Sequence, residues 1–309
     1  MQSPPPVAGI RWRAGRASDA DAITEVGVAA DRVDVPGRPR TRSDAAQLLA
    51  VVDPQRAVLV GERGGRPVAF GSRFRPGGGP VCLIGAVLPE LRGRGVGRAL
   101  LQALLDDAAL AEPDAERATV RSVGGAGVAP LARRFGFTQV RDFLTMRRDL
   151  ARPVEPVALP ADLRVVPFAP ALDEPLRLLK NDVFRDHWQG LADEPAEWRA
   201  RMLGPQPQRG ASRIAVDASG AVAGFVLVWR IDDHPGQAHI PLVGTARAHR
   251  GRGVARALLT SVLVASAESG LTEAELDVDA ASPTGASRVY GAVGFEEVSR
   301  ATVWSRPLR

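Results

Sequence analysis

The sequence is poor in the residues that form disulfides and metal sites. Its 309 residues include one cysteine, Cys82, and four scattered histidines, so no disulfide can form within the chain and no zinc-ligand spacing occurs. No apolar run approaches the roughly 18 residues that a membrane helix needs. The first ten residues contain three prolines and no cationic segment followed by an apolar one. We therefore expect a cytosolic protein, a monomer or homodimer, with no metal and no membrane partner.

Lysine and aromatic residues are also scarce. Lys180 is the only lysine, so arginine supplies nearly all the positive charge behind the net charge of +5. Aromatic residues make up 5% of the chain and the arginines are dispersed, whereas single-strand binders interleave basic grooves with stacking platforms. We therefore expect no nucleic-acid partner. The hydrophobic share of 45% is typical of a folded globular protein.

The chain contains an internal repeat. Segment 85–105, GAVLPELRGRGVGRALLQALL, matches segment 243–263 at ten of twenty-one positions, with an offset of 158 residues. A Gly-Phe pair recurs at 136–137 and 294–295 with the same offset, and three prolines fall within 151–160. This pattern predicts a tandem duplication with domains 1–150 and 161–309, joined by a proline-rich linker over 151–160.

The sequence patterns of the two halves predict the same order of helices and strands. A short strand, a helix and a hairpin precede a strand that carries the repeated segment, and an apolar helix follows it. This order predicts an α/β fold of the mixed, α+β kind.

Both copies place the sequence RGRGV between that strand and that helix. Glycines let the backbone approach a ligand closely, and the unpaired amides of a first helical turn carry partial positive charge. The surrounding arginines suit phosphates. A solvated basic loop is the alternative, but two copies in the same context favour phosphate binding. A dinucleotide-binding fingerprint does not fit, because Arg98 or Arg256 takes the place of its third glycine. A Walker phosphate loop does not fit either, because no Gly-Lys-Ser/Thr is present.

At these residues the sequence resembles the GCN5-related N-acetyltransferase (GNAT) superfamily, whose pyrophosphate loop reads Gln/Arg-x-x-Gly-x-Gly/Ala. The resemblance continues to a Tyr-x-x-x-Gly-Phe pattern in the last helix of the second half. The duplicated layout resembles bacterial tandem acetyltransferases of the mycothiol synthase type. The matching residues are Arg92, Gly95 and Gly97; Arg250, Gly253 and Ala255; and Tyr290, Gly294 and Phe295.

The resemblance implies two GNAT domains, each with a mostly antiparallel mixed sheet that is flanked by helices and has a splayed central pair of parallel strands. It also implies acetyl-CoA as cofactor, with its pyrophosphate on the loop amides and its pantetheine along the preceding strand. The implied contacts are Leu242, Val243, Gly244, Thr245, Arg250, Gly251, Arg252, Gly253, Val254, Ala255, Arg256 and Ser282 in the second half, and Val87, Arg92, Gly93, Arg94, Gly95, Val96 and Gly97 in the first.

Two residues of the second half are candidates for proton transfer. Tyr290, the only tyrosine, falls where the family places the acid that protonates the leaving thiolate, and His239 falls where the mycothiol synthase pattern carries a base. The alternatives are a core tyrosine at 290 and, with equal weight to the base, a structural or surface histidine at 239. The corresponding residues of the first half are Ala132 and Val81. We therefore expect catalysis in the second half, with a degenerate first half that binds coenzyme A idly or serves as a structural partner.

An acceptor pocket is expected around the first helix of the second half. A buried aromatic cluster with solvated acids is an equal alternative there. The candidate acceptor residues are Phe184, Asp186, His187 and Trp188 on one wall, and Trp229, Asp232 and Asp233 on the other.

Together these features predict an acetyl-CoA-dependent N-acetyltransferase that acts on a primary amine of a small molecule or peptide. A non-catalytic acyl-CoA-binding or sensor protein and a mycothiol synthase proper remain alternatives.

Overall fold

The computed structural model describes Pro4 and residues 7–34, 41–124, 127–185, 187–188, 192–204, 207–231, 234–282 and 284–309. The chain forms two compact units. Unit 1 comprises Met1–Asp142 and Ser299–Arg309, and unit 2 comprises Phe143–Val298. Within the described residues, no helix is both long enough and apolar enough to cross a membrane.

Unit 1 is a mixed sheet with helices. Its helices are α1 (Ala20–Asp34), α2 (Arg42–Val51), α3 (Pro54–Ala57), α4 (Val96–Ala111) and α5 (Val128–Arg134), and its strands are β1 (Arg11–Ala14), β2 (Val58–Arg63), β3 (Arg66–Phe74), β4 (Val81–Val87) and β5 (Arg117–Val123). A sixth strand, β6 (Thr138–Asp149), begins in unit 1 and ends in unit 2.

Unit 2 repeats this order. Its helices are α6 (Asp173–Phe184), α7 (Pro195–Leu203), α8 (Val254–Glu268) and α9 (Ala286–Ala292), and its strands are β7 (Arg164–Val166), β8 (Arg213–Val216), β9 (Val222–Arg230), β10 (Gln237–Thr245) and β11 (Glu273–Asp279). The last strand, β12 (Glu296–Pro307), begins in unit 2 and ends in unit 1.

The two units exchange their last strands. Residues 301–307 of β12 pair antiparallel with β5 in unit 1, and residues 143–149 of β6 pair antiparallel with β11 in unit 2. The sequence assigns both segments to the opposite domains, with boundaries at 150 and 161. The exchange is possible because 143–149 and 301–307 differ by the repeat offset of 158 and are equivalent strands of the two copies.

Each unit contains the splayed pair of parallel strands that the family resemblance implies. In unit 2, β10 and β11 pair only over 237–239 and 273–275, and they separate after His239 and Glu275. In unit 1, β4 and β5 pair only over 81–83 and 118–120. The mixed α/β fold predicted from the sequence is confirmed.

The two faces of the unit 2 sheet carry separate apolar clusters. Val226 and Val228 of β9 pack in the cluster that contains residues of α8 and α9, whereas Phe225 and Leu227 pack in the cluster with residues of α6 and α7. This alternation follows from the two-residue period of a strand. It places α8 and α9 on one face of the sheet and α6 and α7 on the other.

Candidate active site

The RGRGV loop of unit 2 ends on an uncapped helix. Gly253 is the N-cap of α8 at φ 82°, Gly251 lies at φ 72°, and no side chain caps the helix. A left-handed backbone favours glycine strongly. The first i to i−4 bond runs from the Ala257 amide to the Gly253 carbonyl at 2.9 Å, so the amides of residues 254–256 lie ahead of the helical bonding pattern. This donor set fits a diphosphate.

A cleft of about 720 Å³ in unit 2 joins this loop to the splayed strands. It is bounded by the end of α6, the C-terminal half of β10, the loop, the end of β11 and α9. Among the predicted site residues, those lining it are Phe184, His187, Val243, Gly244, Thr245, Arg250, Gly251, Gly253, Val254, Ala255, Arg256, Ser282 and Tyr290.

The edge of β10 that faces β11 is open where the cleft begins. Pairing with β11 stops at His239, while pairing with β9 continues to Thr245 after a register shift between His239 and Leu242. The backbone from Val243 to Thr245 therefore borders the cleft without a strand on that side. Gly244 is tightly packed, because a Cβ there would lie 2.5 Å from the Phe225 ring.

Tyr290 of α9 is among the residues that line the cleft. Its side chain is 8% exposed, and its ring centroid lies 6.2 Å from that of Phe295 in an edge-on arrangement. Burial raises the pKa of this phenol above its ordinary value, because desolvation disfavours the phenolate. The residue is therefore protonated at neutral pH and can act as a proton donor.

The C-terminal end of α9 is held by an arginine from the exchanged strand β6. The buried Arg148 Nη1 donates to the Val293 carbonyl at 2.8 Å, and Nη2 donates to the Pro153 carbonyl at 2.7 Å. Gly294 lies at φ 87°, and a Cβ there would collide with Arg148 Nη1. The glycine of the Tyr-x-x-x-Gly-Phe pattern therefore leaves space for this guanidinium.

His239 is not among the residues that line the cleft in the described part of the chain. Its register partners are Trp229 on β9 and Glu275 on β11. Glu275 is fully buried and accepts from Arg147 Nη2 at 2.8 Å. The assignment of His239 as a base stays a prediction.

The predicted acceptor residues separate into four groups. The rings of Phe184 and His187 lie 4.7 Å apart at the cleft. The ring centroid of Trp188 lies 6.1 Å from that of Phe143, a residue that lines the cleft. Neither Trp188 nor Trp229 is among the described lining residues. Asp186, Asp232 and Asp233 lie outside the described residues.

Two predicted coenzyme contacts of unit 2, Arg252 and Leu242, are not among the described residues that line the cleft. Arg252 Nη2 bonds to Asp162 Oδ1 at 2.5 Å, and Leu242 packs against the α6 and α7 cluster. In unit 1, Gly93 and Gly95 lie at φ 74° and 86°, so the loop from Arg92 to Gly97, which follows Val87, repeats the backbone of the unit 2 loop.

Sequence reasoning missed the acids of β11. Asp277 and Asp279 both line the cleft; Asp277 accepts from the Thr145 hydroxyl at 2.6 Å, and Asp279 accepts from the Ala281 amide at 2.9 Å. The alternation in ELDVD indicates both, since it places charged residues on one face of a strand and apolar residues on the other.

Comparisons with known proteins agree with this architecture. Residues 176–295 match the model of the acetyltransferase (GNAT) family, and residues 54–139 match that of a GNAT acetyltransferase domain. The chain is 31% identical over 231 residues to a mycothiol acetyltransferase of Thermobispora bispora, covering 68% of this chain and 70% of that one. It is 33% identical over 236 residues to a mycothiol acetyltransferase of Tsukamurella paurometabola, covering 73% and 78%.

Solved structures show the same fold. A GCN5-related N-acetyltransferase from Sphaerobacter thermophilus superposes with a TM-score of 0.83 at 24% identity, covering 98% of this chain and 96% of that one. A tandem GNAT protein from the clavulanic acid biosynthesis pathway superposes with a TM-score of 0.76 at 21% identity, covering 97% and 99%.

The family models and the relatives place the chain in the class of coenzyme A-dependent acyltransferases. The chain belongs to the GNAT acetyltransferase family, in its tandem form. It is an N-acetyltransferase, and acetyl-CoA is its cofactor, as the sequence predicts.

Proposed function

We propose that unit 2 transfers an acetyl group from acetyl-CoA to a primary amine of a small molecule or peptide by direct attack of the amine. One observation carries the proposal: a single cleft combines the uncapped diphosphate loop, the open edge of β10 and the Tyr290 phenol. Acetyl-CoA supplies an acetyl group activated as a thioester.

Different groups of unit 2 have different roles in the proposed reaction. The amides of residues 254–256, with Arg250 and Arg256, hold the diphosphate. The open backbone of β10 orients the thioester and offers an amide to its oxygen. Tyr290 donates its proton to the departing thiolate. His239, through water, remains the candidate that receives the proton of the amine.

Unit 2 is favoured over unit 1 as the catalytic unit for two reasons. Ala132, which has no proton to donate, stands at the unit 1 position that corresponds to Tyr290. In addition, β3 and β4 of unit 1 pair in continuous register from Ala69 to Phe74, without the shift that interrupts β9 and β10.

The charge distribution of the cleft favours a cationic acceptor. Arg250 and Arg256 lie at the loop end, whereas Asp277 and Asp279 come from β11. A lysine-like amine has a pKa about 3.4 units above neutral pH, so its deprotonation at that pH costs about 4.6 kcal/mol. Deprotonation of an α-amine costs only about 1 kcal/mol. Asp277 and Asp279 can attract the acceptor as its ammonium, which then loses a proton before it attacks, and an acceptor amine of low pKa needs the least help from a base.

A mycothiol acetyltransferase activity is the second candidate. Relatives named for that activity share 31% and 33% identity with the chain and cover about 70% of its length. Its acceptor would combine a cysteinyl amine with a sugar, a larger molecule than a simple amine.

A thioester-release assay tests both candidates. Acetyl-CoA is offered with amines, amino acids, aminoglycosides, peptide N-termini and a cysteinyl-glucosamine-inositol acceptor. We expect amine-dependent thiol release that falls roughly 10²–10⁴-fold in Tyr290→Phe while coenzyme A affinity stays within a few-fold. Coenzyme A binding without amine-dependent release on any acceptor would instead make the chain a non-catalytic binder.

A further inference from the structure

The phosphate loop of unit 1 is bonded to a carboxylate of its own chain. Asp34 is the last residue of α1, and its two oxygens accept from Arg92 Nη1 at 2.8 Å and from Nη2 at 2.9 Å. Arg92 is the arginine that the family pattern places on the pyrophosphate. The paired geometry is the one with which a guanidinium holds a phosphate, so Asp34 occupies the donors that a diphosphate would use.

The backbone at the end of α1 lies against the end of β5. A Cβ on Gly124, the residue after β5, would collide with the Asp34 carbonyl oxygen. A Cβ on Gly127 would lie 3.7 Å from Asp34 Oδ1 and 3.9 Å from Arg92 Nη1. The C-terminal end of a helix carries partial negative charge. This end therefore adds to the charge of Asp34, and both disfavour an anion at the loop.

Two of the three glycines in the unit 1 loop, Gly95 and Gly97, have apolar side chains nearby, whereas a Cβ on Gly93 would have no atom of the described residues within 4 Å. A Cβ on Gly95 would lie 3.6 Å from Val7 Cγ1, and one on Gly97 would lie 3.6 Å from Leu131 Cδ2. A Cβ on Gly253, the unit 2 counterpart of Gly95, would have no atom of the described residues within 4 Å. At this one position of the turn, unit 1 therefore has an apolar neighbour that unit 2 lacks among the described residues.

The corresponding arginine of unit 2 has a different environment. Arg250 Nε donates to the Thr245 carbonyl at 3.3 Å, just as Arg92 Nε donates to the Val87 carbonyl at 3.3 Å. No carboxylate among the described residues bonds to the Arg250 guanidinium. The two arginines thus share a backbone anchor and differ in whether an internal anion is present.

We infer that Asp34 is the permanent anion of the unit 1 loop and that the chain consequently binds one molecule of coenzyme A, in unit 2. This inference rests on the proposed function for the assignment of the open site. In this inference the first copy of the duplication keeps the backbone of a phosphate loop. The carboxylate at the end of α1 takes the place of the phosphate on the loop arginine.

Titration calorimetry of the full chain with coenzyme A tests the stoichiometry. We expect one equivalent per chain, and an affinity that falls at least tenfold in Arg250→Ala. Two equivalents bound to the wild-type chain would overturn the inference. Turnover unaffected by Arg250→Ala would instead refute the proposed function, and the count of equivalents would remain a separate result.

Substitution of Asp34 tests the mechanism of closure. Asp34→Ala should create a second, weaker binding event, and that event should disappear in the double variant Asp34→Ala with Arg92→Ala. The matched control is Asp21→Ala, which removes an exposed carboxylate of the same helix from its ion pair with Arg42 at 2.6 Å and should leave one equivalent. A single equivalent in Asp34→Ala, with the fold intact by circular dichroism, would show that Asp34 does not close the loop.

Discussion

The duplication offers a matched pair of glycine substitutions. Gly294 and Gly136 are equivalent Gly-Phe glycines, at φ 87° and 75°. A Cβ on Gly294 would collide with the buried Arg148 guanidinium, whereas one on Gly136 would meet nothing within 4 Å. Gly136→Ala therefore reports backbone strain alone, and Gly294→Ala reports strain together with displacement of Arg148.

The magnitudes follow from these contacts. A left-handed backbone costs an alanine about 1–2 kcal/mol, which applies to both variants. Displacing Arg148 also loses its hydrogen bond to the Val293 carbonyl, at about 1.5–3 kcal/mol for a charged donor. We therefore expect about 1–2 kcal/mol for Gly136→Ala and about 2.5–5 kcal/mol for Gly294→Ala. At about 2–4 °C per kcal/mol for units of this size, the melting temperatures fall by about 2–8 °C and 5–20 °C.

Differential scanning calorimetry of the full chain measures both shifts, and a double-mutant cycle tests the cause. In an Arg148→Ala background, Gly294→Ala should cost no more than Gly136→Ala does in the wild type, because the colliding group is gone. Equal melting shifts for the two single variants, or an unchanged cost of Gly294→Ala after Arg148 is removed, would refute the reasoning.

Further predictions concern catalysis. Because burial raises the pKa of Tyr290, its proton-donating form persists to higher pH than that of a free phenol, and kcat should show no loss from its ionisation below about pH 10. A basic limb of lower pKa that vanishes in Tyr290→Phe would contradict this. Asp277→Asn should raise KM for a cationic amine about tenfold, equivalent to about 1.4 kcal/mol, and change KM for acetyl-CoA less than twofold; equal changes in both constants would remove its role toward the acceptor.

The sequence predicts the local features of this molecule well. RGRGV, with glycines that favour positive φ between a strand and an apolar helix, specifies the loop in both units within a few residues. Tyr290 is located by its spacing to Gly294, and the structure brings it to the same cleft as the loop.

Long-range pairings are less accessible to sequence reasoning. Segments 143–149 and 301–307 are equivalent copies, so their patterns suit β5 and β11 alike, and local sequence cannot choose between the two partners. Asp34 and Arg92 are 58 residues apart, and no periodicity links them. Whether His239 borders the cleft depends on where β10 separates from β11, which its spacing to Gly244 does not specify.

The most direct test of the account is a crystal structure of the full chain with coenzyme A. We predict a diphosphate on the amides of residues 254–256, a sulfur within hydrogen-bonding distance of the Tyr290 phenol, and Asp34 still bonded to Arg92. A diphosphate on the unit 1 loop, or a sulfur remote from Tyr290, would contradict the central claim.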